Sequence, residues 1–355
     1  MIHFPMIPGV EINIILLIVL SLATGVISGF VGVGGGFIMT PALIILGFPA
    51  QYAVATVILW VMGNAIIGAI RHRQLGNVDL KLGGIMIVFM IGGVELGIRA
   101  LNAAKNAGMA DASVLSVTIC TLLIVGSSVF WESTRTKAMM DKMLRNKDET
   151  IENTPFSSLV SIFSRMHLQP IIYFPKSNTR ISLWALIVLG VFTGVLSSFI
   201  GIGGGIILIP SLVYLFGVPS FIAVGTNLFK LIFPTAFAAV RYSLDGNVVI
   251  FVSFIMILGS SAGIYFGSLL TKYLREVSMR YILASTILVA VLGAIFKLIT
   301  VIGNGEDSWL NYGMTIVTFG GLVLIVCILI VLFIAAIRRK NGKNIPVWIQ
   351  SLVRD

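Results

Sequence analysis

This 355-residue sequence predicts an all-α polytopic membrane protein with an inverted-topology repeat and two glycine-broken helical hairpins. Three observations carry that expectation. Hydrophobic residues make up 57% of the chain and charged residues 11%, with a mean hydropathy of +1.04, too little polar surface to coat a soluble globule. The stretch TGVISGFVGVGGGFIMTP at 24–41 recurs 169 positions later as TGVLSSFIGIGGGIILIP at 193–210. The basic residues, finally, are sorted between alternate loops, which is the distribution a bilayer imposes.

A helix needs about 17–25 apolar residues to cross the hydrocarbon core. The sequence supplies such stretches near 12–31, 50–70, 82–101, 112–130, 182–200, 220–240, 248–271, 280–299 and 311–337. The first of them lacks a basic leader and a small-residue cleavage site, and it reads as a mature span rather than a signal peptide. Two shorter apolar pieces, 33–48 and 203–217, follow the glycine runs. At about 1.5 Å per residue they reach only about 22–24 Å against a core of about 30 Å, so each is expected to be a half-helix or a strongly tilted segment.

Nineteen of the 24 basic residues fall in four places: Arg71, Arg73 and Lys81; eight between 131 and 181; Lys272, Arg275 and Arg280; and five beyond 337. The intervening loops hold Lys105 and Arg241, with an acidic pair at Glu306 and Asp307. If each glycine-broken pair begins and ends on one side, every basic group lies in the cytoplasm. The N-terminus is then outside, the C-terminus cytoplasmic, and the protein belongs to the cytoplasmic (inner) membrane. The first broken pair enters from outside and the second from the cytoplasm, so the halves are inverted. Their correspondence continues past the breaks at an offset of 170: AVAT at 53–56 matches AVGT at 223–226, Arg71 matches Arg241, and GNV at 76–78 matches GNV at 246–248. The expected organisation is a first membrane repeat at 1–131, a cytoplasmic connector at 132–181, a second repeat at 182–300, and an additional transmembrane helix and cytoplasmic tail at 301–355. Within the connector, Phe156, Leu159, Val160, Phe163 and Met166 recur at helical spacing, which suits either a short surface helix or a linker with partial order.

GVGGG at 32–36 and GIGGG at 201–205 lie at intramembrane depth, where broken helices are tolerated only if they are buried in protein or line a wet cavity. Each precedes a short helix whose free N–H groups and dipole favour an anion, making Gly34, Gly35, Gly36, Gly203, Gly204 and Gly205 candidate substrate-binding residues. The competing reading is close helix packing. Neither run carries a Walker lysine or a Rossmann context, so they are not nucleotide loops. Charges inside spans are few: Glu95, Arg99, Lys230 and Lys297. Glu95 and Arg99, four apart on one helix, are expected to pair. Glu95 is also the candidate for proton coupling, and Lys297 lies near an outer boundary where it can snorkel. Lys230 stands mid-span with no acidic residue in its own helix, so it faces either the substrate path or an interhelical partner. Thr56 and Asn64 in one half and Thr226 and Asn227 in the other can donate to an oxyanion or hydrogen-bond between helices. Trp60, the positional counterpart of Lys230, lines the same cavity or packs.

Cys120 and Cys327 read as buried small hydrophobes. His3, His72 and His167 are scattered through a terminus and loops without a metal pattern. No metal site or cofactor is implied. Neither HExxH, paired catalytic carboxylates nor a nucleophile–base pair is recognisable, which argues against an enzyme.

At the paired GxGGG runs with Pro41 and Pro210 after them, and at the AxxT segments ending in Thr56 and Thr226, the sequence resembles the sulfite exporter TauE/SafE family, grouped with the toluene-sulfonate uptake permeases. The resemblance covers both halves, roughly 12–130 and 182–300. It implies a polytopic transporter for sulfite, sulfonates or related organic anions. The expected function is a secondary transporter of a small anion working by alternating access, with an anion channel as the first alternative and a membrane-embedded enzyme as the second. Its expected partners are the small anionic substrate and the lipid bilayer, with no nucleic acid; the oligomeric state is left open.

Overall fold

The computed structural model describes residues 2–3, 11–145, 169–274, 276–302 and 313–340. The helical-spacing stretch at 156–166 and the acidic pair Glu306–Asp307 lie outside the described residues.

The first helix, α1 (Ile14–Val31), opens at Asn13, whose side chain accepts from the Ile15 amide, and ends where Gly32 turns left-handed at φ 78°. Gly34 and Gly35 follow at φ 89° and 79°, and α2 (Gly36–Ile45) starts immediately after them. Gly32 thus closes one helix, Gly34 and Gly35 reverse the chain, and Gly36 opens the next. Positions with φ this far positive strain any residue with a Cβ. Helices α3 (Ala50–Gln74), α4 (Leu80–Asn106) and α5 (Ala110–Arg145) complete the first half. The second half repeats the plan with α6 (Leu183–Ile200), α7 (Gly205–Tyr214), α8 (Ser220–Leu244), α9 (Ile250–Tyr273) and α10 (Glu276–Ile302). Gly201, Gly203 and Gly204 turn at φ 72°, 78° and 72°. A short π-helical segment, Ile316–Gly320, leads into α11 (Gly321–Lys340). Among the described residues nine helices are long and apolar enough to cross a membrane, while α2 and α7, ten residues each, span only about 15 Å.

Some local expectations change. Helix α5 runs past residue 131 to Arg145, and the end of the connector carries an antiparallel hairpin of β3 (Ile171–Phe174) and β4 (Thr179–Ser182). A second pair, β1 (Ile2–His3) and β2 (Glu11–Ile12), lies ahead of α1. Cys120 and Cys327 are exposed rather than buried, on helix faces turned outward from the protein. His72 is not in a loop: it is a fully buried residue of α3.

The halves interlock instead of standing side by side. Helix α1 packs along α9, and its counterpart α6 packs along α4, the counterpart of α9. The central helices α3 and α8 pack on each other, as do α5 and α10. Small residues permit the approach. A Cβ at Gly263 or Gly267 of α9 would run into the Leu22 or Val26 carbonyl of α1, and one at Gly93 or Gly97 of α4 into those of Val191 and Val195 in α6. These are matching positions in the two halves. In lipid, where burying apolar side chains between helices gains little over burying them in acyl chains, such backbone-close packing is what holds helices together. The outer faces remain apolar, with Val88, Leu96, Val188, Phe254, Leu258 and Leu324 exposed to what a bilayer would occupy.

Candidate functional site

The two glycine breaks meet at the centre of the protein. A Cβ at Gly34 would lie 3.2 Å from Val61 Cγ1, and one at Gly203 would lie 3.1 Å from the same atom. Both are also within reach of Leu231, which matches Val61 in the second half. A side chain at Gly36 would strike the Gly201 carbonyl, and one at Gly205 would strike Val33 and Asn227. Four helix ends converge here, the C-termini of α1 and α6 and the N-termini of α2 and α7. The first N–H groups of a helix have no intrahelical acceptor, so the α2 and α7 termini bring positive partial charge to this point.

Polar side chains surround the breaks. Asn227 ties them together: its Nδ2 donates to the Gly32 carbonyl at 2.7 Å while it sits against Gly205. Trp60 and Lys230 occupy matched positions and flank opposite breaks. The Trp60 ring edge covers Gly35, and its Nε1 donates to Ser260 Oγ at 3.0 Å and the Met256 carbonyl at 3.1 Å. Lys230 Nζ contacts Met90 Sδ at 3.2 Å, and the Met90 methyl covers Gly204. Ser260 and Met90 are themselves matched positions. Asn64 Oδ1 accepts from Ser260 Oγ at 2.6 Å, which joins Asn64 to the Trp60 side. Lys230 is fully buried, and among the described residues no carboxylate pairs with it.

Of seven buried side-chain nitrogen and oxygen atoms that make no hydrogen bond among the described residues, four lie in the helices that form or flank the breaks: Ser28 Oγ, Thr40 Oγ1, Asn64 Nδ2 and Asn227 Oδ1. Ser28 is beside Gly35, and Thr40 Oγ1 is where a Cβ of Gly201 would come within 2.6 Å. Burying unsatisfied polar groups costs about 1–3 kcal/mol each. These four atoms leave hydrogen-bonding capacity open next to the breaks.

The structure therefore brings together Gly34, Gly35, Gly36, Gly203, Gly204, Gly205, Asn64, Asn227 and Lys230. Ser28, Thr40, Met90 and Ser260 belong with them, although none stood out in the sequence beyond being small or apolar. Thr56 and Thr226 have other work: Thr226 Oγ1 accepts the Asp79 amide at 2.9 Å and Thr56 Oγ1 the Val249 amide at 3.1 Å. Each threonine caps the start of a helix in the opposite half, α4 or α9. Glu95 also lies apart, its carboxylate shared between Arg99 at 3.0 Å and Arg241 at 3.2 Å. The pairing with Arg99 is as expected; that with Arg241 joins α4 to α8.

Replacing Thr226 with valine keeps the shape and removes the acceptor, leaving the buried Asp79 amide unpaired at a cost of about 1–3 kcal/mol. The expected result is a melting temperature lowered by several degrees in detergent, with transport largely retained. Unchanged melting with lost transport would move this threonine into the substrate site.

The sequence model of the sulfite exporter TauE/SafE family matches residues 17–294, a range that takes in both breaks. The chain is 24% identical over 244 residues to the probable membrane transporter protein YunE of Bacillus subtilis (strain 168), covering 66% of this chain and 80% of that protein. It is 24% identical over 275 residues to the probable membrane transporter protein YjnA of the same organism, covering 77% and 96%. Similarity extends to the probable membrane transporter protein MJ0441 of Methanocaldococcus jannaschii, at 26% over 203 residues, covering 56% and 60%. No solved structure matches the chain.

Proposed function

Given that the chain belongs to the sulfite exporter TauE/SafE family and is a multi-pass membrane transporter, we propose that it is a secondary transporter whose cargo is a small anion, with sulfite, a sulfonate or a related organic anion as the first candidates. The observation that carries this reading is Lys230, a buried lysine with no carboxylate partner among the described residues, set against the second break beside two helix N-termini. An anion seated at the breaks would neutralise Lys230, receive N–H donors from α2 and α7, and engage the unpartnered amide of Asn64 and hydroxyls of Ser28 and Thr40.

The repeats at 1–131 and 182–300 support alternating access. Helix α1 packs on α9 as α6 packs on α4, a reciprocity that two units related by a two-fold axis would produce and that supports this reading. With each broken pair returning to its own side, three full crossings (α3, α4 and α5) precede the second unit, which therefore enters from the opposite face. In this reading the N-terminus is outside and the C-terminus is in the cytoplasm, with the basic loops. The two ends also differ in closure. At one, Asn102 donates to Asp245 at 3.2 Å and Lys105 to Asn247 at 3.3 Å. At matching positions of the other end, Gln74, Leu75, Asn77, Phe221, Thr271 and Lys272 line a cavity of about 260 Å³. A closed outer end and an indented cytoplasmic end are what one half of a rocking cycle looks like.

The test is flux into liposomes containing the purified protein, with sulfite, sulfate, thiosulfate, sulfoacetate and simple carboxylates. Saturable counterflow with preference among these anions is the expected outcome. Flux without counterflow indicates a channel, and equal indifference to every anion rejects the reading.

A further inference from the structure

We propose that His72 is a positioning residue that accepts a proton from the face carrying the Gln74–Lys272 cavity and thereby tightens the first glycine break around its anion. The inference rests on the transporter reading above. His72 is fully buried in the last turn of α3. Its Nε2 lies 3.0 Å from the Gly29 carbonyl, in the last turn of α1 just before the break. Its Nδ1 lies 3.4 Å from Asn77 Nδ2. Because a carbonyl can only accept, Nε2 carries the hydrogen, and Nδ1 is left to accept from the amide of Asn77.

The same Asn77 lines the cavity, so one rotating amide separates Nδ1 from water there. Protonation at Nδ1 moves one proton from that water to the ring. Both nitrogens then donate, Asn77 must turn its Oδ1 toward the ring, and the bond to Gly29 becomes charge-assisted. Burial and the neighbouring Arg71 oppose a charged ring here, and the Gly29 carbonyl at the negative end of the α1 dipole offsets part of that cost. The imidazolium would also add positive charge behind the first break, which has only Trp60 where the second has Lys230.

The opposite half holds the control within the same molecule. At the matching position stands Tyr242, whose hydroxyl donates to the Ser198 carbonyl at 2.7 Å, and Ser198 matches Gly29. The two halves therefore grip the helix before each break in the same way, but an imidazole does it on one side and a phenol on the other. Charged groups near His72 are Arg71 and Arg73 on its own helix, Lys272 on α9 across the cavity, and Asp79 two residues beyond Asn77. Arg71 is turned onto the Tyr265 ring at 4.3 Å. Helix α1 carries no titratable side chain, and α8 contributes Gly225 at the contact.

The experiment uses the full chain in right-side-out and everted vesicles, changing the pH of one face at a time while measuring anion counterflow. The wild type is expected to speed up several-fold when the cavity face is acidified and to ignore the other face. His72→Tyr, which copies the second half, should transport at a steady rate with that pH response lost. Asn77→Asp should shift the response to higher pH, because a carboxylate beside Nδ1 favours the imidazolium; this variant decides the matter if His72→Tyr fails to assemble. Equal responses from both faces, a retained response in His72→Tyr, or an unmoved profile in Asn77→Asp overturns the proposal. Absence of counterflow in the wild type at equal pH defeats the transporter reading, and this inference with it. Counterflow without a one-sided response defeats this inference alone.

Discussion

Alanine at Gly36 is expected to reduce transport more than tenfold while leaving the protein inserted in the membrane. By propensity alone the change should help, since Gly36 has ordinary helical geometry at the start of α2 and alanine favours a helix over glycine by about 1 kcal/mol. Space decides otherwise. The new Cβ would be driven into the carbonyl oxygen of Gly201, a backbone atom that cannot rotate aside. Overpacking of this kind costs about 1–3 kcal/mol, which the protein can relieve only by parting the two breaks. A separation of even about 1 Å removes the shared seat for the anion, because positioning losses on that scale cost about a hundredfold in comparable sites. Gly205→Ala should behave alike, meeting the Val33 backbone in the matching place. Gly84→Ala is the control: it lies inside α4 with nothing within 4 Å of its new methyl, so transport and melting temperature should hold or rise slightly. Counterflow rates normalised to reconstituted protein check all three. Wild-type flux in Gly36→Ala would mean that the breaks need not touch.

The duplicated glycine runs were the most legible part of the sequence, because left-handed turns admit so few residue types. Their positions, their role in reversing the chain and the shortness of α2 and α7 all follow from composition and length. The burial of Lys230 within the protein was legible for a related reason: a lysine in mid-span is too costly to turn toward lipid. The threonines were not. Thr56 and Thr226 sit among the same apolar neighbours whether they face a solute or cap a helix from the other half, and the cap shows only once the halves interlock. The site's share of Ser28 and Thr40 was hidden likewise, since a small hydroxyl inside a membrane helix most often returns its hydrogen to its own backbone. His72 looked like part of a basic loop because Arg71 and Arg73 flank it; at 100° per residue, its neighbours face elsewhere while its own ring turns inward. Strands of four residues, as in β3 and β4, are too short for alternation to declare itself. The cysteines on α5 and α11 are exposed where burial is expected, since in a membrane helix the outward face is apolar as well and composition does not separate the two faces.

Methionine in place of Lys230 should separate stability from function most sharply. The side chain is fully buried with a thioether sulfur at 3.2 Å as its polar neighbour, so the fold gains little from the ammonium that repays its desolvation. An unbranched apolar chain of similar length fills the same space against Met90, and removal of a buried charge is commonly neutral or stabilising. The expected result is therefore a melting temperature equal to or above that of the wild type. Transport should move the other way, falling by more than tenfold, because a charge-assisted contact to a carboxylate, sulfite or sulfonate oxygen is worth about 1.5–3 kcal/mol and each 1.4 kcal/mol is a factor of ten. Lys230→Arg tests geometry at constant charge: its planar fork is larger and rigid, so transport should fall while anion selectivity persists. A structural lysine would give the reverse pattern for methionine, with melting lowered and flux reduced only in proportion to folded protein. Measuring both quantities on one reconstituted sample distinguishes them, and retained anion counterflow in a stable Lys230→Met protein would remove this lysine from the transport path.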